Sequence, residues 1–420
     1  MMFARISKLV TIDKINLIAV TAIFLLISFF APCIEKGFLL LSITASLLIL
    51  IILNGNSYKF IFTKTEISFW IFLLTILSGM INAKEMPLAY QHFWHFVFPI
   101  PFLYFFAKIG FQDKYRTSII RSICYMALLV SAFGIAEFIS RKPFIYNYFP
   151  NNQYIISFMG LRMISTQIHP TPLGTYFVAI LPLSIALILK EKRIFLKPLA
   201  IISFLAIFLG IILTFSRGAF LGLFLETFIL VNILFKQKRL LFILSVILLV
   251  FIIIALSTFL VSQGYFAFHR YSLKGLLQPE FYSIKLARLM MTLNLLKEHP
   301  FFGVGFGHYR VLFDRYLPTL GGISAYDNKV ADCMYLTLLA ETGIIGFSGF
   351  LLFICSLLKR IQAKLKSLSD NADKLYLTCF LSSLLAILST FLTYDGLYWV
   401  VPSYLFWTYA GILSFLSSKA

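Results

Sequence analysis

The sequence predicts an all-α membrane protein, a polytopic helical bundle of about twelve transmembrane helices over residues 1–420 with a long extracytoplasmic loop containing an amphipathic helix. Three observations predict it. The chain is 60% hydrophobic and 13% charged, with a mean hydropathy of +0.91, whereas soluble domains carry about 25% charged residues. Apolar runs of about 20 residues, long enough to cross a bilayer, recur along the chain. Basic residues gather between alternate runs, the bias that orients membrane proteins.

In order, the runs fall near 15–33, 37–54, 67–83, 92–110, 117–140, 172–190, 195–214, 216–235, 240–262, 332–358, 375–394 and 398–417. MMFARISKLVTIDK leads into the first with no small-residue cleavage pattern after it, so that run is expected to be retained. An inside N-terminus puts every second connection in the cytoplasm, together with the C-terminus. Those connections hold Lys59 and Lys64; Lys108, Lys114, Arg116 and Arg121; Lys190, Lys192, Arg193 and Lys197; Lys236, Lys238 and Arg239; and Lys359, Arg360, Lys364, Lys366 and Lys374. The short outer connections hold only Lys36, Lys84 and Arg217. The net charge of +19 is therefore mostly a topology signal, which argues against a nucleic-acid partner. The five cysteines are scattered and odd in number, and form neither a disulfide framework nor a metal spacing.

Two outer segments are long, 141–171 and 263–331, and long loops in compact proteins are usually lids or binding elements. The second keeps Arg270, Lys274, Lys285, Arg288, Lys297, Arg310, Arg315 and Lys329 on the outer face against the topology bias, which calls for an anionic partner. Within LTFSRGAFLGLF, Ser216 is placed to N-cap a helix whose free N–H groups favour an anion, and Arg217 adds a fork suited to phosphate oxygens. A snorkelling arginine is the bland alternative.

YSIKLARLMMTLNLLKEHP reads as an amphipathic helix ending before Pro300. Leu286, Leu289, Met290, Leu293 and Leu296 form its apolar stripe, and Lys285, Arg288 and Thr292 share another face. Such a helix would lie along the outer membrane surface or cap the bundle. GVGFGHY, Gly303 to Tyr309, reads as a tight turn rather than a dinucleotide site, since no strand precedes it. Its His308 is a candidate ligand or base, although lone histidines are usually neither.

In ADCMYLTLLAETGIIGF, Asp332 stands at the mouth of a span and Glu341 lies nine residues further on, about 13 Å along a helix axis and on the opposite face. Glu226 and Glu341 interrupt apolar runs, where a carboxyl is costly and implies a function or a partner. Arg162 and His169, in GLRMISTQIHPTPLGTYF, precede another span. Asp327 is a further acidic candidate in the long loop. The chain lacks D-x-D and E-x-D pairs, a P-loop and H-E-x-x-H, so no metal, nucleotide or other cofactor is expected.

The order TFSRGAFLG, then Arg288 with Asn294-Leu295, then HPFFGVGFG, a polar loop and MYLTLLAETGIIGF resembles the O-antigen ligase and polymerase superfamily of bacterial envelope glycosyltransferases. The core of the likeness runs over 213–353, and RMISTQIHPTPLG is similar to the family's upstream arginine loop. The resemblance implies a multi-pass protein of the bacterial inner (cytoplasmic) membrane. It also implies metal-independent transfer of a glycan from undecaprenyl diphosphate to lipid A-core, another glycan or a protein. Arg217 and Arg288, with Arg162 as a third candidate, match the arginines expected to hold the diphosphate. Where ligases of the family carry His-Asn, this chain has Asp332-Cys333. Asp332 is therefore the expected proton acceptor, with Ser216, Lys285, His308, Asp327 and Glu341 as additional candidates. A transporter or flippase for a lipid-linked or anionic glycan is the competing reading.

Overall fold

The computed structural model describes residues 63–140, 162–167, 169–234, 279–316, 329–368 and 371–418, with a few isolated positions elsewhere. The described residues are helical, with turns between. The helices are α1 Lys64–Gly79, α2 Met86–His92, α3 Pro99–Gly110, α4 Arg116–Ser140, α5 Pro170–Lys190 and α6 Lys197–Leu213. They continue with α7 Arg217–Leu234, α8 Pro279–Glu298, α9 Tyr309–Tyr316, α10 Met334–Ser367, α11 Asn371–Thr390 and α12 Val400–Ser418. A π-helical turn, Phe93–Val97, joins α2 to α3 in one rod.

Seven described helical stretches are long and apolar enough to cross a membrane: Met86–Gly110, Asp113–Ser140, Pro170–Lys190, Arg217–Leu234, Met334–Ser367, Ala372–Thr390 and Val400–Ser418. The expected count of about twelve is not reached among the described residues. The runs at 15–33, 37–54 and 240–262 lie, apart from isolated positions, outside them. The runs at 67–83 and 195–214 coincide with α1 and α6, of 16 and 17 residues. At 1.5 Å per residue these reach only about 24–26 Å, short of the roughly 30 Å of a bilayer core. In contrast α10 has 34 residues, because the run expected to end at 358 continues as the basic stretch Lys359–Lys366.

Helices α5 and α12 are sheathed by their neighbours, α5 by α4, α6, α7 and α11 and α12 by α3, α10 and α11. Helix α7 packs on α11 and leaves Leu221, Phe224 and Phe228 outward, as lipid contact requires. The ends of the bundle differ in charge. At one, ion pairs tie the short basic turns: Arg121 to Glu191 at 2.6 Å, Lys108 to Glu66 at 2.7 Å, and Arg116 to Asp113 and Asp373. Arg162, the Ser216–Arg217 corner, the Gly303–Tyr309 loop and the start of α10 lie at the other.

Helix α10 is broken near that second end. Gly343 has φ +64 and ψ −170, and the loop after α8 fills the gap. The N–H groups of Val304 and Gly305 donate to the carbonyls of Ala340 and Glu341, both at 3.0 Å. Those of Ile344 and Ile345 donate to Pro300 and Phe301 at 2.9 and 3.1 Å. The backbone groups freed by the break are thus paired again, as lipid requires. A Cβ on Gly343 would lie 2.3 Å from the Phe301 oxygen. Gly343→Ala therefore combines an unfavourable φ with a backbone clash and is expected to cost more than about 3 kcal/mol. The recovery of monodisperse protein in detergent and its thermal midpoint check this, and wild-type values would refute the tightness of the clasp.

Candidate functional site

Four sequence-distant segments meet at the end opposite the basic turns. The first joins α6 to α7. Thr214 and Phe215 reverse the chain, with Phe215 at φ +50, a conformation that costs a side-chain-bearing residue roughly 1–2 kcal/mol. Ser216 then caps α7, its Oγ accepting the Ala219 N–H at 3.3 Å, and Arg217 is the first residue of the helix. Gly174 of α5 presses on this corner, where a Cβ would sit 2.7 Å from that of Ala219.

The second segment carries Arg162. Its Nε donates to the Thr214 carbonyl at 2.9 Å and an Nη to that of Phe215 at 3.4 Å, while the Met163 N–H donates to Leu213 at 2.9 Å. Arg162 therefore braces the corner that presents Arg217. Its carbonyl partners belong to the left-handed turn, so the strain and the arginine support each other.

Helix α8 is the third, and turns its basic face inward. Arg288 is 5% exposed and pairs with the Asp332 carboxylate, and Lys285 donates to the Asp332 carbonyl. Burial draws the Lys285 pKa down, and Asp332 opposes that shift. Arg288 does not simply solvate a polar face. Thr292 and Tyr309 hold its carbonyl at 3.1 and 3.3 Å.

The fourth, 391–395, lies between α11 and α12. Phe391 accepts the Met334 N–H at 2.8 Å, and Asp395 accepts the Asp332 N–H at 3.1 Å and the Thr337 hydroxyl. Asp332 is itself left-handed, at φ +50. The cap position of α10 is Cys333, so the Asp332 carboxylate is spent on Arg288 and not on capping. The start of α7 touches this segment, since a Cβ on Gly218 would fall 2.2 Å from Thr393 Oγ1. That contact links the Arg217 corner to the Asp332–Asp395 pair. Burial, then the neighbouring Asp332, raises the Asp395 carboxyl from its usual 3.8 to about 6.

The remaining sequence candidates anchor the glycine-rich loop. Glu341 accepts the Tyr309 N–H at 3.0 Å and the Tyr398 hydroxyl, whose oxygen accepts the Gly307 N–H at 2.9 Å. His308 is fully buried. Its Nε2 accepts the Glu85 N–H at 3.0 Å and its Nδ1 meets the Phe306 carbonyl at 3.1 Å, so both ring nitrogens serve the backbone. Asp327 lies outside the described residues. Among the described residues no group of three or more His, Cys, Asp or Glu side chains is placed to hold a metal ion. Asp395, Thr337, Tyr309 and Tyr398 were missed from the sequence. An acidic residue in TYDGLYW, between the last two apolar runs, was the available signal for the first of them.

Residues 201–351 match the family model described as O-antigen ligase. This region belongs with the O-antigen ligase and polymerase superfamily. The ligase-family region includes Arg217, Arg288, His308, Asp332 and Glu341, whereas Arg162 and Asp395 lie outside it and reach it through the contacts above. No curated protein matches the chain. Together with the seven apolar stretches of spanning length among the described residues, the match describes a multi-pass membrane protein with a ligase-family region at 201–351.

Proposed function

We propose that the protein transfers a glycan from undecaprenyl diphosphate to a hydroxyl of lipid A-core or of another glycan, as an O-antigen or surface-polysaccharide polymerase or ligase. The reaction takes place on the periplasmic face of the bacterial inner membrane, without a metal, and both termini are cytoplasmic. The observation that carries this reading is the pairing of buried Arg288 with the more exposed Asp332 carboxylate, backed by Asp395 and adjoined by the Arg217 corner. The acceptor oxygen bonds to the anomeric carbon as the bond from that carbon to the diphosphate breaks. The hydroxyl proton passes to a carboxylate, and the charge developing on the diphosphate is met by fixed arginines. A guanidinium has five donors, so one bond to Asp332 leaves Arg288 able to bind phosphate oxygens. Purified protein given the lipid-linked glycan and an acceptor should release undecaprenyl diphosphate without ATP or metal. Movement of intact lipid-linked glycan alone would overturn the reading.

Asp395 makes the pH dependence specific. Turnover that requires its ionised form rises with pH through about 6, and Asp395→Asn should lower the rate and remove that limb. The raised value also means that the folded chain takes up this proton first as pH falls. Its contribution to stability is therefore full below about 3.8 and is lost as pH rises through about 6. A rate–pH profile unchanged in the Asn variant would remove Asp395 from the reaction.

One observation favours transport instead. Glu226 of α7 is buried, and neither of its carboxyl oxygens has a hydrogen-bond partner among the described residues, as a carrier's binding residue would show. On the transfer reading Glu226→Gln keeps turnover within about threefold, since an amide is no harder to bury than an unpartnered carboxyl. Loss of activity with retained folding would favour transport.

A further inference from the structure

Helix α4 ends on the site side of the bundle with an acidic residue in its last turn, Glu137, which is 5% exposed. A carboxylate there opposes the helix dipole, whose negative end is the C-terminus, so the helix that carries Glu137 does not account for it. Its bonds run to backbone elsewhere. One carboxyl oxygen accepts the Ser165 N–H and the other the Phe144 N–H, both at 2.9 Å. Ser165 is gripped twice, because its hydroxyl donates to the Val130 carbonyl at 2.7 Å. Val130, Gly134 and Glu137 follow at i, i+4 and i+7 and share one face of α4. Gly134 keeps that face open, since a Cβ there would lie 2.3 Å from Met163 Cε and 2.9 Å from Ser165 Cβ. Met163 and Ser165 are buried against it.

The other edge of the same segment belongs to the arginine corner. The Met163 N–H donates to the Leu213 carbonyl, and Arg162 donates to those of Thr214 and Phe215. Residues 162–165 are therefore a strap from α4 to the turn that presents Arg217. Ser165 at φ +48 and Phe215 at φ +50 are both left-handed, a conformation that persists in side-chain-bearing residues only where the surroundings hold it. We propose that Glu137 is a positioning residue for the reaction. By fixing Ser165 it sets the strap, the strap sets Arg162, and Arg162 sets the corner from which Arg217 meets the donor diphosphate. The proposal rests on the transferase reading above and adds to it a residue that touches neither donor nor acceptor. Both ends of the strap and Met163 within it are bonded, so a shift at Ser165 is passed on instead of being absorbed. Glu137, like Arg162, lies outside the matched region 201–351.

The test uses the full-length protein in lipid nanodiscs and the variant Glu137→Gln. An amide keeps the size and one acceptor oxygen but turns its NH2 toward the second backbone N–H, so one of the two grips is lost. The donor KM, and the Kd for undecaprenyl diphosphate itself, should rise about tenfold while the acceptor KM stays as in wild type. Added to Arg162→Ala, the change should leave the donor KM of that variant where it is, because Glu137 acts through that arginine. A role in folding alone would lower the thermal midpoint and leave the donor KM of the folded protein untouched. Gly134→Ala crowds Met163 and Ser165 from the same face without altering a charge, should give the same pattern, and decides the matter where Glu137→Gln fails to fold. Wild-type donor KM and Kd in the folded variants, or a loss that multiplies with that of Arg162→Ala, overturns the proposal. Wild-type protein that binds undecaprenyl diphosphate and transfers no glycan would sink the transferase reading, and the Kd comparison would still decide the role of Glu137.

Discussion

Replacing Asp332 with Asn is expected to lower the transfer rate by about 10²–10⁴-fold, the contribution a positioned proton acceptor usually makes, while the protein remains folded. Asparagine is the informative substitution because the residue sits at φ +50, a region that Asn tolerates far better than Ala. It also retains a carbonyl oxygen to face Arg288 and the N–H that donates to Asp395. What disappears is the charge. If the carboxylate accepts the proton of the incoming hydroxyl, the loss falls on kcat and persists at saturating donor. If it serves only to orient Arg288, the loss falls on the donor KM. Asp332→His, which restores the side chain found in the ligases that this chain resembles, should recover part of the rate. A near-wild-type rate for the folded Asn variant would end the catalytic role of Asp332 and move the search to Asp395, the carboxyl directly behind it.

Changes at the two arginines should weaken donor handling through different routes. Each charge-assisted hydrogen bond to phosphate is worth about 1.5–3 kcal/mol, so Arg217→Lys, which keeps the charge and loses the planar fork, should reduce kcat/KM by roughly ten- to a hundredfold. Arg288→Ala is expected to do more damage. It removes the donor contact and also leaves the Asp332 carboxylate without its ion-pair partner at a site where Lys285 is the remaining cation on that face. Arg288→Ala combined with Asp332→Asn should therefore be less harmful to stability than the sum of the single changes, because the unpaired charge is gone. Thermal midpoints of the four proteins, with turnover on saturating lipid donor, test both statements. Intact turnover in folded Arg217→Ala and Arg288→Ala variants would abolish the anion site.

Much of this arrangement could be read from local sequence, because the bilayer imposes a local rule. A helix that satisfies its own backbone in lipid must be a run of about 20 apolar residues, so α3, α4, α5, α7, α11 and α12 announce themselves without regard to their neighbours. The same holds for Ser216 as the cap of α7, since a cap is a contact over three residues, and for the two faces of α8, which follow from helical periodicity. The direction in which those faces point was not local. A leucine stripe on an outer helix packs inward on a soluble protein and outward in a membrane, and only the contacts of Arg288 with Asp332 and Tyr309 decide it. Tertiary structure alone also broke α10 at Gly343, because the sequence reads as one span from 332 to 358 and the bonds that replace the missing helical ones come from residues 300–305. Asp395 joined the site for the same reason. It lies 63 residues from Asp332, and the hydrogen bond between them exists because the turn after α11 folds back over the start of α10. The short-range physics of apolar runs, caps and charge bias was written in the chain, whereas the pairing of charges at the site depended on packing between segments that no spacing rule connects.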